Sequence, residues 1–153
     1  MPSAASEVIL SEQDLRAVAA FAAECAQVVL EIFETEQPDD SRPREAIDAT
    51  WEFARGAKRG KSLRDNAFAA LRAANDADTE AARQAARAAM SAAGAAYLHP
   101  LAKATQVKHI LGAAAHAARA LEVVADDDRS AGAKHVEHVA HRATDVVIDA
   151  GVG

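Results

Sequence analysis

The sequence predicts an all-α fold: a single-domain bundle or orthogonal array of about six helices with a central alanine-rich helix. Half of the 153 residues are apolar, but alanine supplies most of that half, and the chain has only four Phe, one Trp and one Tyr. Alanine combines the highest helix propensity with a very small side chain, so we expect helices whose axes approach closely. Apolar residues also recur at steps of three and four between short polar turns. A chain of this length forms one core, which predicts a single domain over residues 1–153 with flexible ends at about 1–10 and 151–153.

The first helix is predicted from Ser11 to Glu36. Ser11 followed three residues later by Asp14 resembles a capping box, and the apolar spacing that follows is typical of a helix face turned to the core. The predicted core residues are Leu15, Val18, Phe21, Ala22, Cys25, Val28, Val29, Ile32 and Phe33.

The second and third helices are separated by glycines. Pro38 and an acidic run end the first helix, and Ser41 or Asp40 can cap a second helix from about Arg42 to Arg55. Gly56 and Gly60 then bracket a basic linker before a third helix that starts near Ser62. The predicted buried residues are Ile47, Trp51 and Ala54 in the second helix and Leu63, Ala67, Phe68 and Leu71 in the third.

The second half of the chain contains three further predicted helices. The fourth runs from Thr79 to about Tyr97, with a cap at Asp76 or Asp78. The fifth covers residues 97–124 with Pro100 in its first turn. This fifth segment is apolar or small on almost all sides, so we expect it to be the central helix. A valine and alanine stripe predicts a sixth helix over residues 130–150.

The charge of the chain excludes several classes of partner. A net charge of −6 and an isoelectric point near 5.5 argue against nucleic acid and anionic membranes. Cys25 is the only cysteine, there is no signal-peptide pattern, and no window approaches the ~18 apolar residues of a membrane span. We therefore expect a cytoplasmic protein. The basic cluster consists of Arg55, Lys58, Arg59, Lys61 and Arg64. It lacks interleaved aromatic residues and fits a helix end followed by a soluble turn, and it could equally contact an acidic protein surface.

Sequence motifs for catalysis are absent. The chain has no G-x-S-x-G, no G-x-G-x-x-G, no phosphate-binding glycine loop, no C-x-x-C and no H-E-x-x-H. His135, His138 and His141 fall away from the apolar stripe of the sixth helix, which predicts solvent exposure rather than a metal site. We therefore expect no cofactor and no metal.

Two histidines of the fifth helix are placed differently. His109 and His116 are separated by seven residues, so both rings lie on one ridge among small residues. The ridge either packs against a neighbouring helix, with hydrogen-bonded core histidines, or lines a polar pocket. A pocket would include His99 and Thr105, together with Tyr97, and its imidazoles could bind an anion or a metal or transfer protons.

The residues RPREAIDATWEFARG, AARQAARAAMSAAGAAYLHPLA and KHILGAAAHAARALE resemble the immunity-protein-5-like family of bacterial polymorphic toxin systems. The resemblance runs from about Arg42 to Val124 and rests on Ala46, Trp51, Arg55, Gly56, His109 and Gly112. Met90 and Ser91 stand where a Gly-His pair is expected. Similar actinobacterial sequences are also labelled as an exonuclease subunit, but this chain lacks the nucleotide-binding loop and the carboxylate cluster of such an ATPase.

Two functions follow as hypotheses. The resemblance implies a non-catalytic immunity or antitoxin-like protein that neutralises a partner toxin through a surface patch. The alternative is a small helical enzyme, or a ligand- or metal-binding protein, with a site lined by His109 and His116. The expected partner is a protein, and a long alanine-rich face would also allow a homodimer.

Overall fold

The computed structural model describes residues 12–58, 60–97 and 104–125, with the side chains of the last helix described from Leu111 onward. These residues form five α-helices and no strand, which confirms the all-α prediction for this part of the chain. The helices are α1 (Glu12–Glu36), α2 (Arg42–Ala54), α3 (Lys61–Asp76), α4 (Glu80–Tyr97) and α5 (Ala104–Val124). The predicted sixth helix and the predicted flexible ends lie outside the described residues. None of the five helices is long and apolar enough to cross a membrane.

The helix at the centre of the described core is α4. It packs against α1, α2, α3 and α5, whereas α5 contacts only α1 and α4 among these elements. Ten of the eighteen residues of α4 are buried alanines, so neighbouring helices can approach it from several sides. The sequence assigned this position to residues 97–124. The structure differs because α5 leaves larger side chains at the surface: Leu111 is 53% and Val124 is 57% exposed.

The large side chains of the core come mainly from α1 and α2. Phe33, Phe53, Leu15, Ile47 and Val29 are almost completely buried, and full burial of a side chain of this size contributes about 2–3 kcal/mol. The predicted stripe of α1 is confirmed by buried Leu15, Val18, Phe21, Ala22, Cys25, Val29 and Phe33. The prediction that Val28 belongs to the core was wrong, because this residue lies at the edge of the stripe and is 55% exposed.

The buried face of the second helix agrees with the prediction at Ile47, which is 1% exposed, but is centred away from Trp51. Phe53 is 1% exposed, whereas Trp51 is only partly buried at the edge of the core. Arg16 of α1 explains part of this orientation: its Nη1 donates to the carbonyl oxygens of Phe53 and Ala57, and its guanidinium lies 4.6 Å from the centroid of the Phe53 ring. The chain then leaves α2 through Gly56, whose φ of +121° favours glycine.

Helix α4 begins at a polar cap. Thr79 Oγ1 accepts a hydrogen bond from the Ala82 N–H at 3.2 Å, so Thr79 performs the capping role that the sequence assigned to Asp76 or Asp78. The same hydroxyl donates to Glu36 Oε2 at 2.7 Å, which connects the start of α4 to the end of α1.

Candidate functional site

A polar contact lies at the interface of α4 and α5. His116 Nδ1 is 2.6 Å from Oε1 of Gln84, a residue that is only 8% exposed. Gln84 lies one turn after Glu80 on α4, and its Nε2 donates to Glu80 Oε1 at 2.7 Å. Arg83 Nη1 donates to the other oxygen of the same carboxylate at 2.8 Å. The three side chains therefore form a chain of hydrogen bonds from Glu80 through Gln84 to His116.

This chain of hydrogen bonds determines which nitrogen of His116 carries a proton. The bonds from Gln84 and Arg83 lower the pKa of Glu80 below its ordinary 4.5, so its carboxylate only accepts. The amide nitrogen of Gln84 must therefore face Glu80, and its oxygen faces the imidazole. Nδ1 of His116 is then the donor, and in the neutral ring the lone pair lies on Nε2.

Burial lowers the pKa of His116 below its ordinary 6.5, and the positive charge of Arg87 lowers it further. The folded protein thus binds the proton less readily than the unfolded chain does. The contribution of this group to stability is fully present above pH 6.5 and is lost as the pH falls from there through the folded pKa. His116 is accordingly neutral in the folded protein at neutral pH.

Small residues of α5 near His116 are buried, and one of them lies close to α4. Ala113, Ala117 and Ala120 are completely buried, and a Cβ built on Gly112 would lie 2.9 Å from Ser91 Oγ. The described part of the ridge is therefore in close contact with the neighbouring helix. Ser91 stands where the family resemblance led us to expect a histidine, so a small hydroxyl occupies this position opposite α5.

The other predicted site residues are only partly described. Thr105 and His109 belong to the first part of α5, where the helical backbone is described and the side chains are not. His99 lies outside the described residues, as do His135, His138 and His141. Among the described residues, no group of three or more His, Cys, Asp or Glu side chains could hold a metal ion.

A groove between α3 and α4 exposes two aromatic side chains. Phe68 is 49% and Tyr97 is 39% exposed, and the guanidinium of Arg64 lies 5.6 Å from the centroid of the Phe68 ring. The groove has a volume of about 330 Å³. We call it the aromatic groove; it is lined by Arg64, Ala67, Phe68, Leu71, Met90, Gly94 and Tyr97.

The aromatic groove was missed by the sequence interpretation, which placed Phe68 and Leu71 in the core. The predicted burial of Leu63 is confirmed, but helix α3 otherwise packs through its alanines, and Leu71 is only partly buried. A signal was present: Arg64 and Arg72, the residues one turn before and one turn after Phe68, are both charged. An aromatic residue between two arginines on one ridge indicates a position at the surface.

A second cleft lies beside Trp51. The indole Nε1 donates to Gln27 Oε1 at 2.7 Å, and the guanidinium of Arg55 lies 5.2 Å from the centroid of the Trp51 ring. Asp48 and Glu52 complete the lining of this cleft, which has a volume of about 480 Å³. Trp51 is therefore held by polar contacts at the surface and differs from the core tryptophan that the sequence predicted.

Comparison with known proteins agrees with the family resemblance. No curated protein and no solved structure matches the chain. A family model matches residues 8–145, which is most of the chain and extends beyond both ends of the segment in which we noted the resemblance. The chain belongs to the family described as "Imm-5 like putative immunity protein".

Proposed function

We propose that the chain binds a partner toxin through the aromatic groove and thereby neutralises it. Membership of an immunity-protein family supports a protein partner. The observation that carries the choice of surface is the exposure of Phe68 and Tyr97 on the two sides of one apolar groove.

The exposure of these rings is informative because the chain has so few aromatic residues. Only six of its 153 residues are Phe, Tyr or Trp, and two of them border the same groove. Aromatic residues and arginine dominate the binding energy of protein interfaces. Arg64, Phe68 and Tyr97 supply both types within one lining.

The walls of the groove are held in place by the core. Ala70, Ala73 and Ala74 on the opposite side of α3 are buried, and α4 is surrounded by four helices. A groove between two rigid helices loses little conformational entropy when a partner binds. This preorganisation suits an inhibitor that binds its target tightly.

Coexpression tests the proposed function. The toxin encoded beside the gene for this chain is expressed in a bacterial host with the wild-type chain, with Phe68→Asp, or with Val28→Asp. Both substitutions replace apolar side chains that are about half exposed, so neither is expected to unfold the protein. Circular dichroism and thermal unfolding verify that both variants are folded.

We expect growth with the wild-type chain and with Val28→Asp, and loss of growth with Phe68→Asp. Equal protection by both variants would move the binding surface away from the aromatic groove. A toxin that kills despite the wild-type chain, or the absence of a toxin gene beside it, would contradict the neutralising role.

The second hypothesis is a ligand or catalytic site along the ridge of His109 and His116. It is favoured by the geometry of His116, which is neutral and has its lone pair on Nε2, the nitrogen turned away from Gln84. His116→Ala distinguishes the two functions: it leaves protection against a toxin intact if the groove binds the partner, and it abolishes ligand binding if the ridge is the site.

A further inference from the structure

We propose that the partner segment bound in the aromatic groove is an acidic amphipathic helix. Its apolar side chains lie between Phe68 and Tyr97, and its carboxylates lie over the cations at the start of α3. The identification of this segment as part of a toxin rests on the proposed function, whereas its chemistry rests on the groove itself.

Cations lie beside the groove at the start of α3. Among the described residues, Arg64 is the only charged one in the lining, and Lys61 lies one turn before it on α3. Lys58 precedes them in the loop, and all three side chains are exposed. Asp65 is the nearest carboxylate in the sequence, but helical spacing places it on the far side of Phe68 from the groove. An approaching carboxylate would therefore meet cations at this end.

This local charge is opposite to that of the whole chain. The protein carries a net charge of −6, so an acidic partner is repelled at long range. Cations concentrated beside one apolar groove attract an acidic segment at short range, and they favour acidic over basic partner surfaces. The basic cluster noted in the sequence thus gains a role that a soluble turn does not explain.

Arg64 carries an exposed guanidinium beside Phe68, with 5.6 Å between its central carbon and the ring centroid. Among the described residues it forms no ion pair with a carboxylate. A guanidinium can bind both oxygens of a carboxylate through its N–H groups.

The groove between α3 and α4 suits a helical segment. An amphipathic helix places its apolar side chains in such a groove. Its carboxylates then lie beside Lys61 and Arg64 at the start of α3.

Synthetic peptides test this chemistry without the toxin. One amphipathic helical peptide carries leucine and phenylalanine on one face and glutamates beside it. A second replaces the glutamates by lysines, and a third replaces the apolar residues by serines. A single-stranded oligothymidylate serves as a fourth probe, because aromatic rings beside cations can also stack nucleic-acid bases. Dissociation constants are measured by fluorescence anisotropy at low and high salt.

We expect the wild-type protein to bind the glutamate peptide about tenfold more tightly than the lysine peptide, with the difference reduced at high salt. The serine peptide should not bind. Lys61→Glu together with Arg64→Glu should reverse the preference, and Lys61→Arg together with Arg64→Lys should keep it. Phe68→Asp should lose binding of both apolar peptides.

Four results would overturn the proposal. The first two are equal or tighter binding of the lysine peptide and a preference unchanged by the charge reversal. The others are tighter binding of the oligothymidylate than of any peptide and failure of the glutamate peptide to bind the wild-type protein. These outcomes are distinct from failure of the proposed function. Peptide binding without protection in the coexpression test refutes the immunity role alone, and protection without the charge preference refutes the acidic segment alone.

Discussion

Gly112 allows α5 to pack closely against α4, and its replacement by alanine tests this contact. A Cβ at this position would lie 2.9 Å from Ser91 Oγ and 3.4 Å from Ser91 Cβ. The first distance requires Ser91 or the helices to move, whereas the second is an ordinary van der Waals contact. The matched variant is therefore Ser91→Ala, which removes the oxygen and leaves the Cβ.

Two opposing effects determine the expected free energy of unfolding. Alanine is favoured over glycine inside a helix by about 1 kcal/mol. Inserting a methyl group into a packed contact costs about 1–3 kcal/mol, and we take about 2 kcal/mol for one close oxygen. Gly112→Ala should then destabilise the wild-type protein by about 1 kcal/mol and stabilise the Ser91→Ala variant by about 1 kcal/mol. The coupling energy is about 2 kcal/mol, within the range for residues in contact.

Urea unfolding of the wild-type protein, the two single variants and the double variant measures this cycle. The dependence of the unfolding free energy on urea should be equal in all four, because the exposed surface hardly changes. If Gly112→Ala has the same effect with serine and with alanine at position 91, the contact with Ser91 Oγ is not the reason that position 112 requires glycine. A stabilising effect with serine present would show that the 2.9 Å approach to Ser91 Oγ is relieved at little cost, which would contradict the expected destabilisation.

Three further predictions concern polar contacts between helices. Arg16→Ala should lower the free energy of unfolding by about 1–2 kcal/mol. Arg16→Lys should recover only part of this loss, because an ammonium cannot bond both carbonyl oxygens and also contact the Phe53 ring. Urea unfolding that finds Lys equivalent to Arg would contradict this. Thr79→Ala should cost about 1 kcal/mol through loss of the α4 cap, and Thr79→Ser should be nearly neutral in thermal unfolding; equal losses would exclude the hydroxyl as the cause. Stability of the wild-type protein should fall as the pH drops below 6.5, and His116→Gln should make that decline shallower; parallel pH profiles would show that protonation of His116 is not linked to folding.

The bounds of α2 and α4 could be predicted closely because they depend on local chemistry. The start of the fifth helix was predicted at residue 97, whereas Tyr97 belongs to α4 and α5 is described from Ala104. The second helix was predicted from Arg42 to Arg55 and is observed from Arg42 to Ala54, where proline and glycine act within a few residues of the ends. The fourth was predicted from Thr79 to Tyr97 and begins at Glu80, with Thr79 as its cap. Propensity, caps and turn residues are read from neighbours in the chain, and no tertiary contact is needed to place them.

The exposure of Val28 and the partial burial of Trp51 could not be predicted in the same way. Both lie at the margin of an apolar stripe, where spacing indicates the side of the helix but not what covers it. For Phe68 the signal was the pair of arginines on its ridge, which the apolar spacing alone does not show. The many alanines make the buried face harder to predict, because an alanine-rich helix can pack against its neighbours in several rotations about its axis. The core could therefore bury Phe53 instead of Trp51, and the small residues of α3 instead of Phe68.

The sequence by itself determined the helical class, the bounds of α2 and α4, the family resemblance and the place of His116 on a ridge of small residues. Only the tertiary structure decided that α4 is the centre of the described core, that His116 bonds Gln84, and that Phe68 and Tyr97 border one groove. The physical reason is the range of the interactions. Hydrogen bonds within a helix and its caps involve residues up to four positions apart, whereas a groove or a contact between helices joins residues that only packing brings together.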